Sequence, residues 1–233
     1  MPWSRRSSNE PKELEKILFQ ERFIKLGNDS GGGIAGLIAA RDPLLAVRWS
    51  LALQSLLERQ GAIVSVLGYQ MDHQGDAAAM RTIELAAKAI PRKNLLRAVV
   101  DIKAREDPVL AAAWIRQQPD DKPNRELYTT LVGVWYQQDG IAASSWVGQL
   151  PPGKGRDSAA QALVLAVQES DVSSAISWGA AIQDDDMRQR TLSQIKSHQS
   201  VEQIRQTIQA LGSSVKLSEA DLEVLLNDGE PGN

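Results

Sequence analysis

The stretch of this chain that comes nearest to chemistry is Gly148-Gln149-Leu150-Pro151-Pro152-Gly153-Lys154-Gly155. Its glycines and lysine match most of a phosphate-binding loop, in which backbone N–H groups cradle phosphates and the lysine reaches the outer oxygens. That chemistry also needs Ser or Thr after the lysine to hold magnesium, and Gly155 stands there. It needs a strand leading into the loop, whereas Trp146 lies in a segment with helical spacing. A second glycine-rich run, Ser30-Gly31-Gly32-Gly33-Ile34-Ala35-Gly36, has the composition of an anion cradle at a helix start. No strand precedes it and no acidic ribose partner follows, so it reads as a flexible joint. His73 and His198 are the only histidines, and they are far apart. A metal centre or a histidine-based triad would need partners that the pattern does not gather. Asp184-Asp185-Asp186 lacks the further oxygen ligands of a calcium loop. It reads as a solvated turn that caps the next helix. No catalytic, cofactor-binding or metal-binding residue is therefore assigned, and the chain is read as not an enzyme.

The composition narrows the classes further. Hydrophobic residues make up 42% and charged residues 24% of the 233, the proportions of an ordinary globular protein. The formal charge of -3 tells against nucleic acid, whose binders draw most of their affinity from neutralised phosphates. The absence of cysteine excludes disulfide scaffolds and zinc–thiolate sites. The opening residues MPWSRRSSNEPKELEK lack the apolar core of a signal peptide, and no apolar run is long enough to span a bilayer. The expectation is a soluble, cytoplasmic protein, with the possibility that it is a segment of a longer chain.

What organises the chain is a repeat. Asp followed seven residues later by Trp occurs as Asp42/Trp49, Asp107/Trp114, Asp139/Trp146 and Asp171/Trp178, the last three pairs 32 residues apart. Asp76 with Ile83 is read as the missing unit between the first and second pairs. Asp before a proline, as in Asp42-Pro43 and Asp107-Pro108, marks a helix start: the carboxylate accepts from free N–H groups, and proline suits the first turn. Four residues after each Asp stand Ala46, Met80, Ala111, Ala143 and Ala175. Eleven after stand Leu53, Ala87, Gln118, Leu150 and Ile182. Offsets of four, seven and eleven share one helical face, so the tryptophans are read as core residues on the inner face of a helix A. Trp146→Ala is expected to cost roughly 3–5 kcal/mol. Breaks rich in Pro, Gly and Asp follow, at 118–123, 150–155 and 183–186. A helix B then carries Leu127, Leu131, Val134 and Trp135 in one unit and Ala159, Leu163, Ala166 and Val167 in another. Each hairpin is expected to pair two helices of roughly 12 residues.

A basic residue follows each large slot by nine to eleven positions: Arg59, Lys93, Arg125, Arg156 and Arg188. One reading is an ion pair between units, made to a capping Asp of a neighbour. The other is a ladder of cations along one edge, suited to an anionic partner. Outside the five units the pattern frays. Residues 10–26 read as an amphipathic helix with Leu14, Ile17, Leu18, Phe19, Phe23, Ile24 and Leu26, and 34–40 as the second helix of a degenerate hairpin. Residues 200–211 and 218–226 form a last hairpin without the Trp, in which Ser218 and Asp221 make a capping box.

The 32-residue, two-helix unit and its Asp-Pro-x-x-Ala-x-x-Trp core resemble α-solenoid hairpin repeats of the broad tetratricopeptide and HEAT type, over roughly residues 34–226. The tetratricopeptide signature itself is missing. It looks closest to short Asp-Pro/Trp helical repeats of large bacterial proteins without assigned activity. The resemblance implies an all-α, right-handed solenoid of six or seven hairpins, roughly 60 Å long. Expected boundaries are a disordered 1–9, a single domain over 10–226 with units starting near 42, 76, 107, 139 and 171, and a disordered 227–233. The resemblance further implies a protein or peptide partner and no cofactor. Alternatives are a structural or regulatory segment of a larger protein with no ligand of its own, or a nucleic-acid-binding solenoid. No small-molecule substrate or membrane insertion is indicated.

Overall fold

The computed structural model describes residues 33–118 and 122–227, with the side chains of residues 122–124 outside that description. The segments expected at 1–9 and 10–26, the glycines Gly31 and Gly32, the break residues Pro119, Asp120 and Asp121, and the tail from Asp228 lie outside the described residues. Within them the fold is all-α, without a strand. Its helices are α1 Ile34–Arg41, α2 Pro43–Ala52, α3 Leu56–Gln74, α4 Asp76–Ala86, α5 Arg92–Glu106, α6 Pro108–Arg116 and α7 Lys122–Gln138. There follow α8 Gly140–Gln149, α9 Lys154–Val167, α10 Val172–Ala180, α11 Asp185–His198, α12 Val201–Leu211, a 3-10 turn Gly212–Ser214 and α13 Glu219–Leu226.

The repeated aspartate is a corner made of one residue. Asp42, Asp107 and Asp139 each stand alone between a helix that has just ended and one that begins. Their own N–H groups close the last turn behind them, onto Ile38, Lys103 and Trp135 at 2.8 Å. Their carboxylates cap the helix ahead, accepting from the N–H groups of Leu45 at 3.0 Å, Leu110 at 3.0 Å and Ala142 at 2.9 Å. Asp171 does the same between Val167 and Ser174. An extended backbone with a side-chain acceptor satisfies both helix ends in one position, which is why the type recurs. The alanine four residues on donates to the carbonyl of the same Asp at 3.0 Å in all four units.

Asp76 is not the fifth such corner. Gly75, at φ 78, stands between α3 and α4, and Asp76 is the first residue of α4. The left-handed backbone there is open to glycine at little steric cost, and no side chain caps the helix. With the unit counted from Gly75, the position four on is the buried Ala79 instead of Met80, and the large slot is Thr82 instead of Ile83. Ile83 then falls one place later, with Ser50, Ile115, Val147 and Gly179.

The hairpins are lopsided. Helices of the A type (α2, α4, α6, α8, α10, α12) have 9–11 residues. Those of the B type have 14–19, apart from the terminal α1 and α13 with 8 each. The chain divides into two compact units, Met1–Val99 and Val100–Asn233, the boundary falling inside α5. In the first, α1, α2 and α3 pack against one another and α4 against α2 and α3. In the second, each B helix lies on the next (α7 on α9, α9 on α11, α11 on α13), while α10 meets α12.

Burial moves the centre of helix A away from the tryptophans. Ala46, Ala111, Ala143 and Ala175 are fully buried, and Trp114 is buried at 6% exposure. Trp49, Trp146 and Trp178 are half-buried. The deepest face combines the alanine with the residue four further on: Ser50, Ile115, Val147 and Gly179. The tryptophan flanks this face and leans on neighbouring helices. Trp146 lies 5.4 Å from Trp135 and 6.1 Å from Tyr128, both on α7 of the preceding hairpin. Trp178 and Tyr136 touch two core clusters of the second unit, one with Val164, Ile176 and Leu192 and one with Val132, Val147 and Leu163, and join them.

Candidate interaction surface

The basic slot shifts from one hairpin to the next. Counted from the corner residue, Arg59, Arg156 and Arg188 stand seventeen positions on, whereas Lys93 and Arg125 stand eighteen on. Counted from the start of helix B, Arg59, Arg125 and Arg188 are each the fourth residue, Arg156 the third and Lys93 the second. Arg92, not Lys93, holds the seventeenth place of its unit. Its Nε lies 3.2 Å from Glu84. Arg59 turns back on its own helix start, donating to the carbonyls of Gln54 at 3.2 Å and Ser55 at 3.4 Å. Lys93 is exposed, and Arg125 and Arg156 are half-buried.

Arg188 makes the inter-unit ion pair. Its Nε meets Asp221 Oδ1 at 3.0 Å and its Nη2 meets Asp185 at 2.7 Å, while Nη1 donates to the Ile182 carbonyl at 3.1 Å. Asp221 is the third residue of α13, in the expected capping box with Ser218, and its side chain is 3% exposed. It accepts from Gln189 Nε2 at 3.0 Å and from the Ser218 N–H at 2.9 Å as well. Burial pushes its carboxyl up, but the Ser218 donors and the Arg188 guanidinium outweigh this and hold it below the usual carboxylate range. Arg188 is in turn held above its ordinary value, chiefly by its hydrogen bond to Asp221.

A polar seam between B helices was not singled out in the sequence, although its period was visible there. Asp157, Gln189 and Asp221 are 32 residues apart in succession. Asp157, 3% exposed, accepts from the N–H groups of Gln183 at 3.0 Å and Asp184 at 3.1 Å, tying α9 to the start of α11. Glutamines close the other end: Gln138 donates to the carbonyls of Ala104 and Arg105 at 3.0 and 3.3 Å, and Gln199 to that of Gln168 at 2.7 Å. Such bonds satisfy helix-end groups that would otherwise be orphaned.

The loop with phosphate-binding composition has another explanation. Trp146 lies in α8, and Lys154 opens α9 after Gly153 at φ 143. Gly155 faces the ring of Tyr128, where an added Cβ would stand 2.9 Å from Cε2 and Cζ. The glycine is there for packing. Gly33 precedes α1 without a side-chain cap. His73 and His198 are both exposed. Asp184 caps α11 through the Met187 N–H at 2.9 Å, with Asp185 and Asp186 exposed. Among the described residues no three His, Asp or Glu side chains gather as metal ligands. No helix there is long and apolar enough to cross a membrane.

The most distinctive surface feature is apolar. Two residues after three of the corners stand Leu44, Val109 and Ile141, exposed at 58%, 61% and 86%, with Leu110 beside Val109 at 63%. They occupy the first turns of α2, α6 and α8, a register position that in α10 holds Ser173. In the last hairpin an apolar hollow of about 190 Å³ is lined by Ile208, Leu211, Gly212, Val215, Leu217 and Leu222. No family model matches this chain, nor does any curated protein or solved structure.

Proposed function

We propose that the chain is a right-handed α-solenoid and serves as a non-catalytic scaffold for a protein or peptide partner. The side-by-side succession α7, α9, α11, α13 at a near-constant sequence period supports the solenoid reading. The scaffold reading rests on one observation: exposed large apolar side chains recur at a single register position, in the first turn of helix A, where a purely structural surface would carry polar residues. A partner presenting apolar side chains to Val109, Leu110 and Ile141 of the second unit fits better than an anionic one, because Arg188 is engaged with Asp185 and Asp221 and Arg59 with its own helix start.

The test compares wild type with the triple variant Val109→Asp, Leu110→Asp, Ile141→Asp in affinity purification from lysate of the source organism, with and without nuclease. Wild type should capture a saturable, nuclease-resistant protein that the variant loses while keeping its helical circular dichroism. Equal capture by both proteins removes these residues from the function. Nuclease-sensitive capture replaces the scaffold with a nucleic-acid binder, and no capture leaves a structural segment.

A further inference from the structure

The last hairpin is fastened differently from those before it. α9 packs against α7, α8, α10 and α11, while α13 makes its principal contacts with α11 and α12. α13 has 8 residues and buries only Asp221 and Leu225, and α12 buries only Ile204. The apolar side chains of Ile208, Leu211, Val215, Leu217 and Leu222 line a hollow of about 190 Å³ that they do not fill. Side chains facing a void lose their contacts on that side. Polar groups supply much of the attachment: Asp221 to Arg188 and Gln189 on α11, and Lys196 Nζ to the carbonyl of Asn227. The chain enters this segment through Gly212 at φ 53 and ψ -129, with nothing within 4 Å of the place where a Cβ would stand.

We propose that residues 213–227 form a latch that opens as one body about Gly212 while the rest of the second unit stays folded. A helix of 8 residues does not persist alone in water. Release of Asp221 and Leu225 therefore undocks and melts α13 together and uncovers the side of α12 that carries Ile208 and Leu211. An attachment made of one ion cluster, the Lys196–Asn227 bond, the buried Leu225 and the partly buried Leu217, Val224 and Leu226 opens at lower free energy than a helix enclosed on several sides, as α9 is. The inference stands apart from the scaffold reading and needs no partner.

Native-state amide hydrogen exchange on the full chain tests it, comparing Glu219–Leu226 with Ala159–Val167. The α13 amides should exchange at least about 100-fold faster than those of α9, at a common rate and with a common denaturant dependence. Asp221→Asn should accelerate α13 by about 10-fold or more while α9 stays at least about 100-fold slower than α13, and Gln189→Ala should accelerate α13 more weakly. Equal protection of the two helices overturns the latch. Rates graded inward from Leu226 overturn it as well, since that is fraying. So does an Asp221→Asn protein that loses the whole unit.

Discussion

The ring of Tyr136 occupies the space that a side chain on Gly140 would need: a Cβ placed there stands 2.9 Å from Tyr136 Cε2. The two residues are four apart, one on the last turn of α7 and one opening α8, across the corner at Asp139. The equivalent pairs at the other single-residue corners are Ala39 with Pro43 and Ala104 with Pro108, and both alanines are fully buried, while Asp171, separated from the end of α9 by three residues, has Gln168 with Val172. A small residue before the corner leaves room for proline after it. A tyrosine before the corner requires glycine. The loss of the Asp-Pro pattern in this unit is thus the result of one packing exchange.

Gly140→Pro in the wild-type background should cost about 1–3 kcal/mol from overpacking against Tyr136. In a Tyr136→Ala background the same substitution should be neutral or stabilise by about 0.4–1 kcal/mol, because proline suits the first helical position and restricts the unfolded chain. Urea melts of the four proteins close the cycle. Additive effects, with no coupling beyond about 0.5 kcal/mol, would sink the exchange.

The tryptophans should differ in a fixed order. Trp114, 6% exposed, should cost about 3–5 kcal/mol when cut to alanine. Trp146 is half-buried, so Trp146→Ala should cost less, about 2–3 kcal/mol, of which its ring contacts with Trp135 and Tyr128 supply a part. That is below the value its repeat position alone implies. Equal losses in the two variants would return both indoles to the same depth.

These differences mark what a single sequence carries. The all-helical class, the corners at Asp42, Asp107, Asp139 and Asp171, and the box at Ser218 and Asp221 were legible because capping is local chemistry read from adjacent residues. The corner at Gly75 lies one residue before the place that Asp76, with a side chain suited to capping, suggests, because a glycine corner announces itself only through its backbone. Trp depth escapes the sequence because offsets of four, seven and eleven define a face but not its centre. Val147 and Ile115, eight after their corners, hold that centre. The seam of Asp157, Gln189 and Asp221 was periodic in plain sight, but residue types that alternate between acid and amide hide a shared position. The exposed residues Leu44, Val109 and Ile141 read as core in any hydrophobic pattern, and only burial separates them.

Asp157 should prove more sensitive than its place in the first turn of α9 implies. Asp157→Ala leaves the N–H groups of Gln183 and Asp184 without their acceptor in a part-buried setting, at a cost of about 2–3 kcal/mol. Asp157→Asn keeps one acceptor oxygen and should recover part of that loss. Hydrogen exchange at those two amides should rise in both variants, more in alanine. Unchanged exchange there would mean that the carboxylate contributes nothing to the junction of α9 and α11.

Acid should weaken the second unit through two carboxylates in particular. Asp171 is held below its usual value, first by the Ser174 hydroxyl and then by the Ser174 N–H. Asp221 faces Arg188 and Gln189 from α11 and Ser218 from its own turn, and its net displacement is also downward. A carboxyl with a lower value folded than unfolded stabilises the fold at pH above the unfolded value, about 3.9. That contribution is lost as pH falls through the lower folded value, so both losses belong below about pH 4. Arg188, displaced upward from an already high value, stays charged throughout. Stability from urea melts should therefore be flat near neutrality and decline below about pH 4. Asp221→Asn should start lower and decline less, so that the two curves converge in acid, and Ser174→Ala should show the same pattern at smaller amplitude. Parallel acid limbs for wild type and Asp221→Asn would show that Asp221 does not titrate with unfolding, and would leave the acid loss to other carboxylates.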